Sequence, residues 1–109
     1  MSILRKSAKG QACNIWLPGC EGGTETTILA HKNGAGIGIK NIDLLAAFSC
    51  NNCHNIVDGR VQYDMPPIEI KLQFYEGIFR TIQYWFDNGY IEIKEPVLPK
   101  IRKILPRRY

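Results

Sequence analysis

The longest periodic pattern in the chain is an apolar stripe in its second half. Its members recur at spacings of four, three, four, three and four residues, the period of an α-helix: Ile68, Leu72, Tyr75, Phe79, Ile82 and Phe86. The flanking residues suit the ends of such a helix: Asp64 can be its N-cap, two prolines can lie in its first turn, and an Asn-Gly pair can end it. We therefore predict a helix over about residues 66–88, with the stripe packed as core on the cysteine-bearing half. Stacking of its aromatic rings on bases is the alternative use of this face.

Shorter patterns flank this helix. CNIWL (13–17) and TTILAHK (26–32) are apolar and β-branched, which predicts two strands. DLLAAF (43–48) predicts a short buried segment, either helix or strand, and NNCHNIVD (51–58) predicts a short helix. YIEIK (90–94) alternates apolar and polar residues like an edge strand. The chain therefore mixes strands and helices within one short sequence, as α+β domains do.

Composition places the chain among small globular domains. Its 109 residues are 45% hydrophobic and 22% charged, which suits one domain with a modest core. No apolar run approaches the roughly 18 residues of a membrane-spanning helix. The opening MSILRKSAKG is positively charged without an apolar stretch behind it, so it does not predict a secretory signal. We therefore expect no membrane association and a location in the reducing cytoplasm.

The excess positive charge lies at the two ends of the chain. The net charge is +4, and residues 1–12 hold three bases without an acid. Residues 94–109 hold six bases against one acid, whereas acids outnumber bases between the two ends. Basic ends fit contact with a polyanion such as nucleic acid, although a solvated tail explains the charge equally well. We predict an extended basic tail over 95–109, with these candidate DNA contacts: Lys100, Arg102, Lys103, Arg107 and Arg108.

Four cysteines form two pairs, Cys13-x6-Cys20 and Cys50-x2-Cys53. Two pairs from distant parts of a chain can complete the tetrahedron of thiolates that Zn²⁺ prefers in closed structural sites. Such an ion would join the first part of the chain to the predicted short helix and add folding energy that a small core lacks. A disulfide or redox pair and an iron–sulfur cluster are the alternatives.

The two histidines carry the candidate chemistry. His31 lies at the end of the predicted strand 26–32, and His54 follows Cys53 on the predicted short helix. Asp58 lies four residues after His54, so both side chains share one helix face. Together they could hold a divalent cation that keeps positions open for water and phosphate. Taken alone, however, this spacing fits an exposed helix ion pair better.

A strand histidine, a loop and CxxCH on a helix form an order that resembles the HNH, or ββα-metal, endonucleases. Among them the chain resembles the small YbcO-like nucleases of phages and prophages. The resemblance covers about residues 3–60 and rests on these features: LRKSAKGQAC, the C-x6-C that ends in PGC, ETTILAH, DLLAAFSCNNCH, and Asp58 with Arg60.

The resemblance implies an α+β fold built on a small zinc-stabilised, treble-clef-like ββα-metal core. This core would occupy about residues 11–60 of a single HNH-like nuclease domain at 1–94. The long helix at about 66–88 would pack on the core, and the basic tail 95–109 would be an addition to it.

The resemblance also implies a metal-dependent endonuclease that hydrolyses phosphodiester bonds in DNA, in phage or prophage DNA metabolism or recombination. His31 would be the general base, oriented by Asp43 or, as the weaker candidate, Asn41. His54 and Asp58 would hold Mg²⁺ or another divalent cation at the catalytic centre. Three further bases could hold adjacent phosphates, or be ordinary surface residues: Lys32, Lys40 and Arg60.

One position departs from the HNH pattern. Many of these nucleases carry a second metal ligand just before the base, where this chain has Ala30. The shorter ligand set keeps a second function open, a non-catalytic zinc module that binds DNA or protein. A redox or iron–sulfur protein is the third. We expect DNA as the partner, in a bacterial host cell, and the aromatic surface of the long helix is compatible with a homodimer.

Overall fold

The structure is a computed structural model that describes residues 2–33 and 41–94. Within these ranges the chain forms three helices and two short strands. In chain order they are α1 (Ile3–Lys6), β1 (Ile28–His31), β2 (Ala46–Ser49), α2 (Asn51–Val57) and α3 (Pro67–Asp87). This arrangement confirms a small α+β fold. No helix within the described ranges is long and apolar enough to cross a membrane. Lys40 and the predicted tail 95–109 lie outside these ranges.

The two strands form an antiparallel hairpin that ends at the candidate base. β1 and β2 pair in register from Ile28 opposite Ser49 to His31 opposite Ala46. All four residues of β2 are buried, because α3 packs against this strand. The strand predicted over 26–32 is therefore confirmed, and the segment predicted as helix or strand is a strand.

Residues 13–17 do not form the strand that their composition predicts. The Asn14 amide donates to the Phe48 carbonyl of β2 at 2.9 Å, but Trp16 then adopts a φ of 62°, in the left-handed region. The Trp16 indole N–H donates back to the Cys13 carbonyl at 2.8 Å. The prediction is wrong because this turn ends the extended backbone, and the apolar pattern does not encode it.

Helix α2 begins directly after β2, with Cys50 as its N-cap. The Cys50 sulfur accepts the Cys53 amide at 3.4 Å, so one cysteine of the CxxC pair caps the turn that carries the other. Gly59, with φ of 75°, follows the C-cap in the conformation that favours glycine. The predicted short helix is therefore confirmed.

Helix α3 is confirmed, but it packs through a different face from the predicted one. Its buried residues are Phe74, Gly77, Ile78, Thr81 and Trp85. Four members of the predicted stripe are 46–63% exposed: Ile68, Leu72, Phe79 and Phe86. The other two, Tyr75 and Ile82, are half-buried. The predicted core stripe is therefore wrong at the four exposed positions, whereas Tyr75 and Ile82 do pack against the cysteine-bearing core.

Contacts that require small and polar side chains select the buried face of α3. Gly77 lets the helix approach the loop before β1, since a Cβ there would lie 3.0 Å from the Asn14 carbonyl oxygen. Thr81 Oγ1 accepts hydrogen bonds from Asn14 Nδ2 and from the Phe48 amide, each at 3.0 Å. The side chains of the predicted stripe are larger, and five of the six are wholly apolar, so they could not provide both this close approach and these hydrogen bonds. Burial therefore follows shape and hydrogen bonding as well as hydrophobicity.

Both ends of α3 differ in detail from the sequence prediction. Pro66 is the N-cap and no side chain caps the helix, so Asp64 does not play that role. Residues 90–94 form no strand. The Tyr90 amide instead donates to the Trp85 carbonyl at 2.8 Å, which turns the chain back onto the end of the helix. The edge-strand prediction is wrong because the backbone of this segment bonds to the end of α3 and does not form a strand with the hairpin.

Matched phenylalanine substitutions test which face of α3 is the core. Phe74 is 6% exposed and Phe79 is 63% exposed. We expect Phe74→Ala to lower the free energy of unfolding by about 3–5 kcal/mol, because it leaves a cavity in the core. Phe79→Ala should change it by less than about 1 kcal/mol. Urea denaturation followed by circular dichroism measures both values, and equal losses would contradict this assignment of the core.

Candidate functional site

The four cysteines come together in one cluster. Their sulfur atoms all lie within 4.8 Å of one another, and the sulfurs of Cys20 and Cys50 are 3.8 Å apart. Tetrahedral Zn²⁺ with Zn–S bonds of about 2.3 Å requires sulfur–sulfur separations of roughly 3.8 Å. None of the four is in a disulfide, and Cys13, Cys50 and Cys53 are buried. The donor set and its spacing therefore fit a metal ion such as zinc.

Backbone amides surround the sulfurs as hydrogen-bond donors. Each bond runs from an amide of the flanking loops or of the first turn of α2, at 3.4–3.5 Å: Ile15 to Cys13, Gly22 to Cys20, and both Glu21 and Cys53 to Cys50. Donors directed at sulfur stabilise the thiolate form over the thiol. The backbone is therefore arranged around sulfurs that can carry negative charge.

The thiols do not ionise with equal ease. The hydrogen bond with the Cys53 thiol lowers the pKa of Cys13 to about 4. The same contact raises the pKa of Cys53, and burial raises the pKa of Cys20. Once one thiolate has formed, its charge opposes ionisation of the others. A divalent cation would allow all four to be anionic together, which supports the metal-binding interpretation.

His31 and Asp43 form a hydrogen-bonded pair at the end of the hairpin. His31 Nε2 and Asp43 Oδ1 are 2.7 Å apart, and the His31 side chain is 8% exposed. An ionised Asp43 can only accept, so Nε2 carries a proton, and in the neutral form of the ring Nδ1 is the nitrogen with the lone pair. Asn41, the weaker candidate, instead donates to the carbonyl oxygens of Lys32 and Asn33. The geometry suits a base held in one tautomer, and its catalytic role stays a prediction.

Two residues of the N-terminal segment also bind the Asp43 carboxylate. The Ser2 hydroxyl donates to Oδ2, and Arg5 Nη2 lies 3.0 Å from Oδ1. The hydrogen bond from Ser2 first, that from His31 second, and the contact with Arg5 lower the pKa of Asp43 to about 2. Neither Ser2 nor Arg5 is among the site residues predicted from the sequence. The signal available for Arg5 was the run of bases in residues 1–12.

His54 and Asp58 meet across one turn at the end of α2. His54 Nε2 lies 3.1 Å from Asp58 Oδ2, and Arg60 Nη2 lies 3.5 Å from the same oxygen. Two ligands of an octahedral Mg²⁺, each bound at about 2.1 Å, are roughly 3.0 Å apart. The 3.1 Å spacing of the pair therefore suits two ligands of one cation. Ala30 occupies the position where many HNH nucleases carry a further metal ligand. It is 1% exposed within β1 and offers no ligand atom.

His31 of the first pair and both residues of the second pair line one cleft of about 840 Å³, and Asp43 binds His31 from outside this lining. His31, His54, Asp58 and Arg60 line it together. Cations outnumber acids four to two along its walls, because the N-terminal segment adds three bases: Arg5, Lys6 and Lys9. Lys32 lines a neighbouring cavity instead. The sequence therefore did not predict that the basic N-terminal segment lines the cleft.

The cysteine cluster should hold one zinc ion per chain. We expect Cys53→Ser to lose the metal and to leave the chain largely unfolded, because structural zinc contributes about 10–16 kcal/mol in small domains. His54→Ala, which changes the next residue but leaves the four sulfurs in place, should keep the zinc and the fold. Metal analysis and the absorption of the cobalt-loaded protein measure both variants. Loss of zinc from His54→Ala would show that the two sites are not separate.

The contacts of Asp43 should make stability depend on acid pH. A carboxyl whose folded pKa is lowered from 3.8 to about 2 stabilises the fold above pH 4, and this contribution is lost as the pH falls from about 4 through 2. We expect Asp43→Asn to cost on the order of 1 kcal/mol at neutral pH, less than the full shift implies because Arg5 is exposed. The difference from the parent chain should shrink as the pH falls from about 4 to 2 and disappear only below the folded pKa of about 2.

Urea denaturation from pH 2 to 7 measures this difference. Ser2→Ala serves as the control, since it removes the largest cause of the lowered pKa. In that variant the loss of stability should begin at higher pH than in the parent chain. A difference between parent and Asp43→Asn that does not change with pH would contradict the prediction.

Comparison with known proteins extends the resemblance beyond the first half of the chain. The family described as "Putative nuclease YbcO" matches residues 2–90, which include the cysteine cluster, the cleft and α3. Two relatives of that name come from Escherichia coli strain K12 and from Enterobacteria phage 82. Each is 36% identical over 96 residues, which are 84% of this chain and 99% of the relative. The basic tail 95–109 lies beyond the family match.

A solved structure supports the same relationship. It is described as "Structure of a putative bacteriophage protein from Escherichia coli str. K-12 substr. MG1655". It is 34% identical and superposes with a TM-score of 0.68, covering 80% of this chain and 100% of its own. Sequence and fold therefore agree, and the chain belongs to the family described as putative nuclease YbcO.

Proposed function

We propose that this protein is a metal-dependent HNH-type endonuclease that hydrolyses phosphodiester bonds in DNA. His31, which Asp43 binds, lines one basic cleft together with His54 and Asp58, and this convergence carries the proposal. One pair offers a base, the other offers a cation site, and the surrounding cations suit a phosphate backbone. The names of the relatives support nuclease activity, and the order β1, β2, α2 agrees with a ββα-metal fold.

His31 is the general base in this mechanism. Its Nδ1 accepts a proton from water, and the water oxygen attacks phosphorus while the bond from phosphorus to the leaving oxygen breaks. Asp43 keeps the ring in one tautomer through Nε2 and stabilises the imidazolium that forms. Ser2 and Arg5 hold Asp43 ionised and in position, so they act on the base through the carboxylate.

His54 and Asp58 are the residues that would hold the divalent cation. When bound there, Mg²⁺ or a similar ion would supply positive charge against the negative charge that develops on the phosphate and on the leaving oxygen. Because Ala30 adds no ligand, a cation held by these two side chains would need further ligands from water or from the substrate. Arg60 balances the Asp58 carboxylate and can also contact a neighbouring phosphate.

Basic side chains around the cleft are the proposed DNA contacts. They would bind phosphates and position the backbone without reading the sequence. Those in the described structure are Arg5, Lys6, Lys9, Arg60 and, at the neighbouring cavity, Lys32. Lys40 and the bases of the tail stay proposals from charge alone: Lys100, Arg102, Lys103, Arg107 and Arg108.

The zinc ion has a structural role in this proposal. It would hold the loop of Cys13 and Cys20 against the first turn of α2, and so fix the helix that carries His54. The core at about 11–60 and the packing helix would form one nuclease domain at 1–94. We further propose a role in phage or prophage DNA metabolism or recombination, in the cytoplasm of a bacterial host; the phage origin of one relative agrees with this role.

A second candidate function is a zinc module that binds DNA or protein without cleaving it. Ala30 favours it, because the buried alanine adds no ligand atom to His54 and Asp58 for a catalytic cation. His54 and Asp58 also contact each other directly at 3.1 Å, which gives the pair a role without an ion. The basic residues that line the cleft and the cysteine cluster would serve this function equally well.

Plasmid nicking with Mg²⁺ or Mn²⁺ separates the two functions. We expect the parent protein to cut DNA and His31→Ala to lose roughly 100-fold or more of the rate, as removal of a general base does. The variant should keep its zinc content and its DNA affinity, which serve as the control for folding. A parent that binds DNA but does not cut it would support the second function, and a His31→Ala variant that cuts normally would exclude His31 as the base.

A further inference from the structure

A second cavity adjoins the proposed catalytic centre. Its volume is about 540 Å³, and it shares two lining residues with the basic cleft, His31 and Asp58. These residues belong to the proposed base and to the proposed cation site. One ligand placed at the reacting phosphate could therefore extend from the cleft into the cavity.

The chemistry of the second cavity differs from that of the cleft. Three aromatic residues line it, Tyr63, Phe74 and Tyr75, together with aliphatic and methionine side chains. The Tyr63 hydroxyl donates to the Pro18 carbonyl at 2.5 Å, and the rings of Phe74 and Tyr75 lie 6.1 Å apart. The aromatic surfaces are therefore held by contacts within the fold. Flat apolar surfaces of this kind bind nucleobases by stacking and with little sequence preference.

A few polar groups accompany these aromatic surfaces. Lys32, Asn33 and Lys71 also line the cavity, along with the shared His31 and Asp58. Small-molecule sites typically have this composition, mostly apolar with a few polar groups, and a volume of about 300–1,000 Å³. A cavity of about 540 Å³ is larger than a metal or water site needs and accommodates a nucleoside.

We infer that this cavity receives the base of a nucleotide at the cleavage site, while the adjoining phosphate lies in the basic cleft at His31 and Asp58. The inference rests on the proposed nuclease function and adds its substrate class. A base inside a paired, stacked duplex cannot enter such a cavity without leaving the stack, at an energetic cost. The protein therefore selects DNA with an unpaired nucleotide at the cleavage site, either single-stranded DNA or a flap, branch or mismatch.

Cleavage of matched oligonucleotides tests the substrate class. We expect the parent protein to cut single-stranded DNA at least about tenfold faster than a fully paired duplex of the same sequence, because the duplex must first release the base. A duplex with one unpaired flap separates the two sources of an unpaired base, since rapid cleavage at the flap alone identifies branched DNA. Equal rates on the paired duplex and on every unpaired substrate would overturn the inference.

Substitutions at Tyr75 test the cavity itself. Tyr75→Ala should lower the cleavage rate on single-stranded DNA about tenfold or more, the range for loss of one stacking partner, and Tyr75→Phe should keep most of it. Phe79→Ala is the matched control, because Phe79 lies on the same helix and is not among the residues that line the cavity. Melting temperatures of all three confirm folding. Equal rates for Tyr75→Ala and Phe79→Ala would overturn the inference.

A binding measurement separates this inference from the proposed activity. A single-stranded oligonucleotide that contains 2-aminopurine loses fluorescence when that base stacks on an aromatic ring. Titration without added divalent ions should show quenching by the parent and by Phe79→Ala, and much less by Tyr75→Ala. If no DNA is cut, this pattern would still support the cavity while the nuclease proposal fails. If DNA is cut without quenching, the nuclease proposal stands and the base cavity is excluded.

Discussion

The contact between the two cysteine pairs is the constraint on which the rest of the structure depends. It joins the loop after α1 to the first turn of α2, and its sulfurs lie inside the same apolar cluster as Ile15, Phe74 and Ile78. A small chain has little apolar surface to bury, so an ion held at this point would add folding energy where the core is formed. The cysteine cluster and the hydrophobic core are therefore one unit and not two separate sources of stability.

The candidate active site follows from this arrangement. Pairing of the hairpin places His31 at the end of β1, and the helix that Cys50 caps places His54 and Asp58 on the same cleft. Asp43, from the connection between the strands, then binds His31 together with the N-terminal segment. The candidate residues come from β1, from the connection between the strands and from α2, and the hairpin pairing and the cysteine cap of α2 set the positions of His31 and His54.

Helix α3 shows where pattern analysis succeeds and where it fails. Its length and ends are close to those that the apolar period and the prolines predict. Its two faces are both rich in apolar residues, however, and the period cannot choose between them. Gly77 and Thr81 decide the choice, because the first permits close approach to Asn14 and the second bonds to it. Neither residue counts as strongly hydrophobic, so a pattern of hydrophobic positions gives them no weight. The exposed stripe that remains includes Phe79 and Phe86.

The sequence by itself determined the elements and the chemical inventory: a strand ending in His31, CxxCH on a short helix, two cysteine pairs and a long final helix. These features depend on local periodicity and on residue type, which a linear sequence displays directly. Only the tertiary structure decided which face of α3 is buried, that the chain turns at Trp16, and that Ser2 and Arg5 reach Asp43. Those outcomes depend on contacts between residues far apart in the chain, where shape and hydrogen bonding outweigh local preference.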